Sequence, residues 1–269
     1  MFVGLSSWVF SRAVQAGEFC LLDFPRMARE EYGVDSIEVH SLHFTSQSAE
    51  YLNELRRRIA DAGLQVRNIA VDTGFVFDPD PEVRRTNLEA LKQWLHVGRA
   101  IGSQAVRVHS GEVAMDDAPA LAALIEGYRE LLAEAAGCGV KLVVENHDGI
   151  SHHPAGLRYI LGALDVPHLA TCPDTGNSEA DDWEEVLDLL APKAHSVHVK
   201  ILSYDPSGVQ PVRRRDGSIR LQDLHRDVRT LAAAGFRGQL TYAYTAPDAD
   251  ERDAARRGLE YIRELVGIS

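Results

Sequence analysis

Eight short apolar runs, separated by longer segments of helical periodicity, constrain this chain more than any other feature. The runs are FVGLSS (2–7), SIEVH (36–40), VRNIAV (66–71), AVRVHS (105–110), KLVVEN (141–146), LATCPD (169–174), SVHVK (196–200) and LTYAY (240–244). Most are rich in Val, Ile or Leu without clean alternation, the pattern of parallel strands covered on both faces. Amphipathic segments lie between and after them: AEYLNELRRRIADAG (49–63), NLEALKQWLHVGRAIG (87–102), LQDLHRDVRTLAAAGF (221–236) and AARRGLEYIRELVG (254–267). Several stop at a glycine, Gly63, Gly102 or Gly235, a usual helix terminator. Strand and helix alternating eight times without a composition break predict one α/β domain, a single (β/α)8 barrel over residues 1–269. The competing doubly wound sheet wants a glycine fingerprint after its first strand, and GLSSWVF is not one.

Charge narrows the partners. The 269 residues carry a formal net charge of −12, and an acidic surface repels a polyphosphate backbone, so no nucleic-acid partner is expected. Three widely spaced cysteines, Cys20, Cys138 and Cys172, build neither a disulfide framework nor a CxxC metal site, which points to a reducing compartment. The stretch MFVGLSSWVFSRAVQAGEF lacks the basic leader and unbroken apolar core of a signal peptide. No run approaches the roughly 20 apolar residues of a membrane span. The expectation is a cytoplasmic protein with no membrane partner.

In such a barrel the active site forms where strands end and βα loops begin. The fifth run ends in VVENHDG, placing Glu145 at a strand terminus, and the sixth ends in CPDTGN, placing Asp174 beside a turn. The seventh, HSVHVK, carries His198 and, two residues on and on the same side, Lys200. A single strand-end acid commonly caps a loop or pairs with Lys or Arg, and a single strand histidine is commonly a hydrogen-bonded core residue. Three such groups from consecutive strands at similar depth point instead to a metal or catalytic site. Two carboxylates and an imidazole suit a divalent metal ion, Mn²⁺ or Mg²⁺, with Co²⁺ or Zn²⁺ also compatible.

VVENHDG, TCPDTGN and HSVHVK, in this order, resemble the sugar phosphate isomerase/epimerase superfamily, the xylose isomerase-like TIM barrels that include ketose 3-epimerases, hydroxypyruvate isomerases and inosose dehydratases. The resemblance extends to GVDSIEVHS at the second strand and AAAGFRGQLTYAY before the last helix. It implies metal ligands at Glu145, Asp174 and His198. The fourth ligand of that superfamily, a final-strand Glu, falls here on Ala243 in LTYAYT. In the epimerase mechanism the first and last glutamates face each other across the substrate. One removes a proton beside a carbonyl and the other returns it on the opposite face. Ala243 therefore removes one ligand and one acid/base, and such a loss forfeits about 10²–10⁴-fold in rate. A natural one-base branch and a Glu→Ala replacement both account for it, and the intact surroundings (Tyr242, Tyr244, Pro247) favour the second.

Further candidates surround these positions. His109 at the end of the fourth strand, His147 and the pair His152–His153 after Glu145, and Asn177 and Lys200 beside the ligands are expected to reach substrate. Trp8 is expected to wall a sugar face. Glu38 and His40 end the second strand, and Glu38 resembles the superfamily's recurrent strand-two acid, which is assigned to lining or structural support before catalysis. The basic run VRRRDG (212–217) lies in the long loop after the seventh strand, where Arg213, Arg214 or Arg215 can hold a phosphate or carboxylate. The leading expectation is a metal-dependent sugar isomerase/epimerase acting on a small sugar through an enediolate. A lyase on the same scaffold, a dehydratase or a cleaver of a 3-oxo-glycoside bond, tolerates Ala243 better. A non-catalytic sugar-binding relative is the third reading. A DNA-repair endonuclease is disfavoured because that branch needs a richer cluster of ligands. A homo-oligomer is compatible with the resemblance.

Overall fold

The structure is a computed structural model and describes residues 1–177, 182–213, 217–244, 246 and 249–267. Among the described residues ten strands run β1 (Phe2–Ser6), β2 (Ser36–His40), β3 (Gln65–Phe75), β4 (Ala105–His109), β5 (Lys141–Glu145), β6 (Leu169–Cys172), β7 (Ser196–Val199), β8 (Val209–Arg213), β9 (Ile219–Asp223) and β10 (Gln239–Tyr242). The α-helices among the described residues are α1 (Ser11–Gln15), α2 (Phe24–Glu30), α3 (Ala49–Asp61), α4 (Pro81–Ile101), α5 (Ala118–Cys138), α6 (Pro154–Ala163), α7 (Trp183–Leu190), α8 (Leu224–Ala233) and α9 (Glu251–Val266).

Eight parallel strands hydrogen-bond in the order β6-β5-β4-β3-β2-β1-β10-β7. The two ends of that sheet meet through the isolated bridges Thr171–Ala194 and Asp174–His198, so the barrel is nearly closed. It is the expected (β/α)8 architecture. The register sets which side chains share the pore. Ser6 pairs with Glu38, Glu38 with Asn68, Ala70 with Arg107, Arg107 with Val143 and Thr241 with His198. Because successive strand residues point to opposite faces, those residues line the pore, while Val106, Leu142, Val144, Val197 and Leu240 face outward and join the core under the helices. Ala105, Val143, Ala170 and Cys172 form a small buried apolar cluster on the pore side, below the polar layer.

Helix ends follow local chemistry. α4 starts at Pro81, earlier than the apolar spacing from Asn87 indicates, because the Asp80 carboxylate accepts from the Glu82 and Val83 amides and Pro81 presets the first turn. It stops at Gly102 in the left-handed conformation and buries Leu91 and Leu95 completely, each contributing roughly 1.5–3 kcal/mol.

The segment after β7 departs from expectation. Residues 221–223, read as the start of a helix, belong to β9, which pairs antiparallel with β8 as a hairpin. Inward Gln210 anchors the hairpin: its Oε1 accepts from the Leu202 and Ser203 amides at 2.7 and 2.8 Å, and its Nε2 donates to Ser203 O at 2.8 Å. α8 begins only at Leu224, capped by Asp223. The loop after β10 is fastened across the barrel end. The Arg12 guanidinium donates to Ala246 O and Ala249 O, and the Glu251 carboxylate accepts from the Arg12 and Ala13 amides. No helix among the described residues is long and apolar enough to cross a membrane.

Candidate active site

A cavity of about 90 Å³ opens at the C-terminal ends of the strands. The walls near β5, β6, β7 and β10 are Glu145, His147, Asp174, His198, Lys200 and Ala243. Trp8, Glu38, His40, Ala70, Asp72 and Arg107 form the facing side. Each is on the pore parity of its strand or a short extension of it.

Glu145, Asp174 and His198 come together. His198 Nδ1 lies 2.8 Å from Glu145 Oε1 and 3.7 Å from Asp174 Oδ2, all three residues being buried. Ligands bound at about 2.1 Å on adjacent corners of a four- to six-coordinate ion stand roughly 3.0–3.4 Å apart, a range that the observed 2.8 and 3.7 Å bracket. The second ring nitrogen strengthens the fit. His198 Nε2 is 2.8 Å from Glu38 Oε2, which also accepts from Asn68 Nδ2 at 2.8 Å. A carboxylate on the far ring nitrogen is the arrangement common to metal-bound histidines, and here Nδ1 itself is hydrogen-bonded to Glu145 Oε1 at 2.8 Å.

Asp174 is aimed by its own turn. Its Oδ1 accepts from the Gly176 and Asn177 amides at 2.7 and 3.0 Å, and Asn146 brackets its backbone at both N and O. That leaves Oδ2 for the cavity. Gly176 has a steric reason: a Cβ there would sit 2.4 Å from Lys200 Cδ, so its absence lets the Lys200 stem cross the turn. Lys200 Nζ lies 3.5 Å from Asp174 Oδ2, donates to Asn177 Oδ1 and faces the Tyr244 ring.

The opposite wall is an ionic cluster that the sequence reading did not name. Arg107, on β4, is buried with its Nε 2.9 Å from Glu145 Oε2 and its Nη1 2.6 Å from Asp72 Oδ1. Asp72 also meets His109 Nε2 at 2.9 Å through Oδ1 and His40 Nε2 at 3.0 Å through Oδ2. Burial opposes ionisation of Glu145, yet the Arg107 charge and then His198 hold it well below the ordinary carboxylate range. Burial likewise opposes the Asp72 charge, and hydrogen bonds from His109 and His40, with Arg107, outweigh it and push its pKa down. Burial pulls His198 toward neutrality, but Cys172, Glu38 and Glu145 raise it well above the usual imidazole value. Burial also raises the Cys172 thiol, which is therefore neutral, so the two carboxylates carry that effect. Four carboxylates in the lining (Glu38, Asp72, Glu145, Asp174) face two permanent cations (Arg107, Lys200). A proton on His198 leaves one negative charge uncompensated, whereas neutral His198 with a divalent cation leaves none.

The other expected residues divide. Trp8 (38% exposed) and His147 line the cavity, and Trp8 lies 4.3 Å from the His40 ring between centroids. Asn177 donates to Glu145 Oε1 at 3.4 Å. His109 is buried behind the lining, against Asp72, Arg107 and His147. His152 is buried too, its Nδ1 bonded to His147 O at 2.6 Å, and neither it nor exposed His153 lines the cavity. Arg213 is exposed on β8, donates to Gly217 O and does not line this cavity. Arg214, Arg215 and Pro247 lie outside the described residues. Ala243 is 8% exposed and sits in the cavity wall where the resemblance expects a glutamate.

The sequence matches the family model described as xylose isomerase-like TIM barrel over residues 28–265. This chain belongs to that family. Solved structures share the fold over nearly their whole length. The apo 3-keto-D-glucoside 4-epimerase YcjR from E. coli is 21% identical, with TM-score 0.72 and coverage of 98% of this chain and 99% of that one. An L-ribulose 3-epimerase is 19% identical, with TM-score 0.76 and coverage of 99% and 94%. The probable 3-DHS dehydratase AsbF from Bacillus anthracis, involved in petrobactin synthesis, is 15% identical, with TM-score 0.72 and coverage of 97% and 98%. Among curated proteins none matches the sequence.

Proposed function

We propose that this chain is a divalent-metal-dependent enzyme that removes a proton from the carbon beside the carbonyl of a sugar or sugar-derived substrate. The convergence of Glu145, Asp174 and His198 Nδ1, with Glu38 on the far nitrogen of His198, carries this proposal. Glu145 and Asp174 supply carboxylate oxygens and His198 its Nδ1 to hold the cation. The cation, when bound, polarises the substrate carbonyl and stabilises the enediolate charge. Lys200 and Asn177 stand beside the ligands and can donate to substrate oxygens. Trp8 offers an apolar wall for a sugar face.

Glu145 is the carboxylate placed to take the proton. Its Oε2 faces Arg107 and its Oε1 faces His198 and Asn177, so its basicity is low in the resting site. Across from it Ala243 offers no acid to return the proton on the other face. This favours a one-sided outcome, isomerisation or elimination, over two-base epimerisation, and the dehydratase among the similar folds is consistent with elimination.

The test is proton exchange in D2O with Mn²⁺, using ketoses and 3-keto-glucosides, for the chain as it stands and for Ala243→Glu. Deuterium uptake at the carbon beside the carbonyl, increased by Ala243→Glu by about 10²–10⁴-fold for epimerisation, is the expected result. Loss of water or an aglycone without epimer marks the elimination branch. No exchange and no elimination by either protein contradicts the proposal.

A further inference from the structure

Beyond the triad, the ends of β4 and β5 hold a second group of ligand atoms. One atom each from His109, His147 and Asp148 lie within 4.8 Å of one another. His109 repeats the logic of His198. Both hydrogens of Arg107 Nη1 are directed to Asp72 Oδ1 (2.6 Å) and Val71 O (3.1 Å). That nitrogen also lies 2.7 Å from His109 Nε2, which is 2.9 Å from Asp72 Oδ1; in the tautomer with Nε2–H toward Asp72, both donors meet one carboxylate. The lone pair is then on Nδ1, which is buried without a hydrogen-bond partner. An orphaned buried acceptor has given up water without a replacement partner, so its retention calls for an explanation.

His147 Nδ1 likewise has no hydrogen bond and lies 2.9 Å from Asp148 Oδ2, a spacing suited to two ligands on one ion. The rings of His109 and His147 are 4.4 Å apart between centroids. The two loops are pinned together: Ile150 N donates to Gly111 O at 3.1 Å, and a Cβ on Gly149 (φ 68°) would sit 2.1 Å from that oxygen. Glycine at 149 thus permits the approach that sets Asp148 beside His109.

We propose that His109 Nδ1, His147 Nδ1 and Asp148 Oδ2 form a second cation site, separate from Glu145, Asp174 and His198. Two imidazoles and one carboxylate on one side of an ion select a borderline transition metal, Zn²⁺ or Co²⁺ rather than Mg²⁺, and leave positions open for water or a substrate oxygen. Asp72 behind His109 plays the part that Glu38 plays behind His198. A third group, His96, Glu134 and Cys138 on the outer faces of α4 and α5, does not qualify. Its histidine is exposed, and both ring nitrogens already have partners, Cys138 at Nδ1 and Glu134 at Nε2.

The test is a Co²⁺ titration of chelator-stripped protein, read by calorimetry and visible absorption, in a His96→Asn background that silences the outer group. Two equivalents are expected. His147→Asn or Asp148→Asn, at side chains 29% and 57% exposed, should each leave one equivalent or weaken the second at least tenfold, with unchanged circular dichroism. Asp174→Asn should remove the other equivalent and keep this one, so failure of the first site is distinguishable from failure of the second. A single equivalent insensitive to His147→Asn and Asp148→Asn overturns the proposal. Loss of both equivalents in Asp174→Asn alone also overturns it.

Discussion

Arg107→Met tests whether the buried guanidinium holds the site together before any metal arrives. The substitution keeps an unbranched apolar stem but removes the cation 2.9 Å from Glu145 Oε2 and 2.6 Å from Asp72 Oδ1. Glu145 is almost wholly buried, so water cannot replace the lost charge there. Removing one partner of a buried ion pair costs about 3–5 kcal/mol, because the other is left uncompensated. For a chain of this size that corresponds to a fall of about 6–20 °C in Tm. Thermal unfolding of metal-free protein, followed by circular dichroism, measures it. Adding Glu145→Gln to Arg107→Met removes one stranded charge and should recover roughly half the loss, giving a clear coupling energy in the double-mutant cycle. Mn²⁺ should raise the Tm of Arg107→Met more than that of the parent, since the ion supplies the missing positive charge. A drop under about 2 °C, or additive single effects, would refute the claim that Arg107 compensates Glu145.

Glu38→Gln should weaken Mn²⁺ binding about 10–100-fold by calorimetry, because the amide no longer enforces the Nε2–H tautomer of His198; unchanged affinity would contradict that role. Asp227, buried under the hairpin, accepts from Trp183 Nε1 and Gln222 Nε2, and burial raises its pKa from 3.8 to about 6. A raised folded-state pKa favours the protonated fold, so this contribution, on the order of 3 kcal/mol at most, is fully present below pH 3.8 and is lost as pH rises through about 6. Relative to the parent, the Tm of Asp227→Asn should therefore climb between about pH 4 and pH 6 and level off above that, whereas parallel Tm curves would remove the assignment. Leu95→Ala, at a fully buried position facing the core from α4, should cost about 2–5 kcal/mol in urea unfolding.

The barrel was legible because buried parallel strands write themselves as short apolar runs, and all eight runs fall within a few residues of the barrel strands. The three candidate ligands stood out because each lies at or near the end of its run. Arg107 and Asp72 were missed although the same period of two exposes them: Arg107 precedes His109 by two inside AVRVHS, and Asp72 directly follows VRNIAV. A buried arginine carries no signal of its partners, which come from β3 and β5 and exist only once the register is set. The hairpin was hidden for a related reason. VQPVR and IRLQD alternate like strands, yet a basic run between them reads as a solvated loop, and the hairpin is anchored by polar bonds of the buried Gln210. The carboxylate absent at Ala243 was visible only by resemblance to the family. The structure adds that this position faces the cavity.

The most direct measurement is an anomalous-difference map from crystals grown with Zn²⁺ or Mn²⁺. The account predicts a peak bonded to Glu145 Oε1, Asp174 Oδ2 and His198 Nδ1, at about 2.0–2.2 Å for Zn²⁺, with Glu38 still holding His198 Nε2. A cavity without a peak, and His198 clasped between Glu38 and Glu145 at saturating metal, would contradict it.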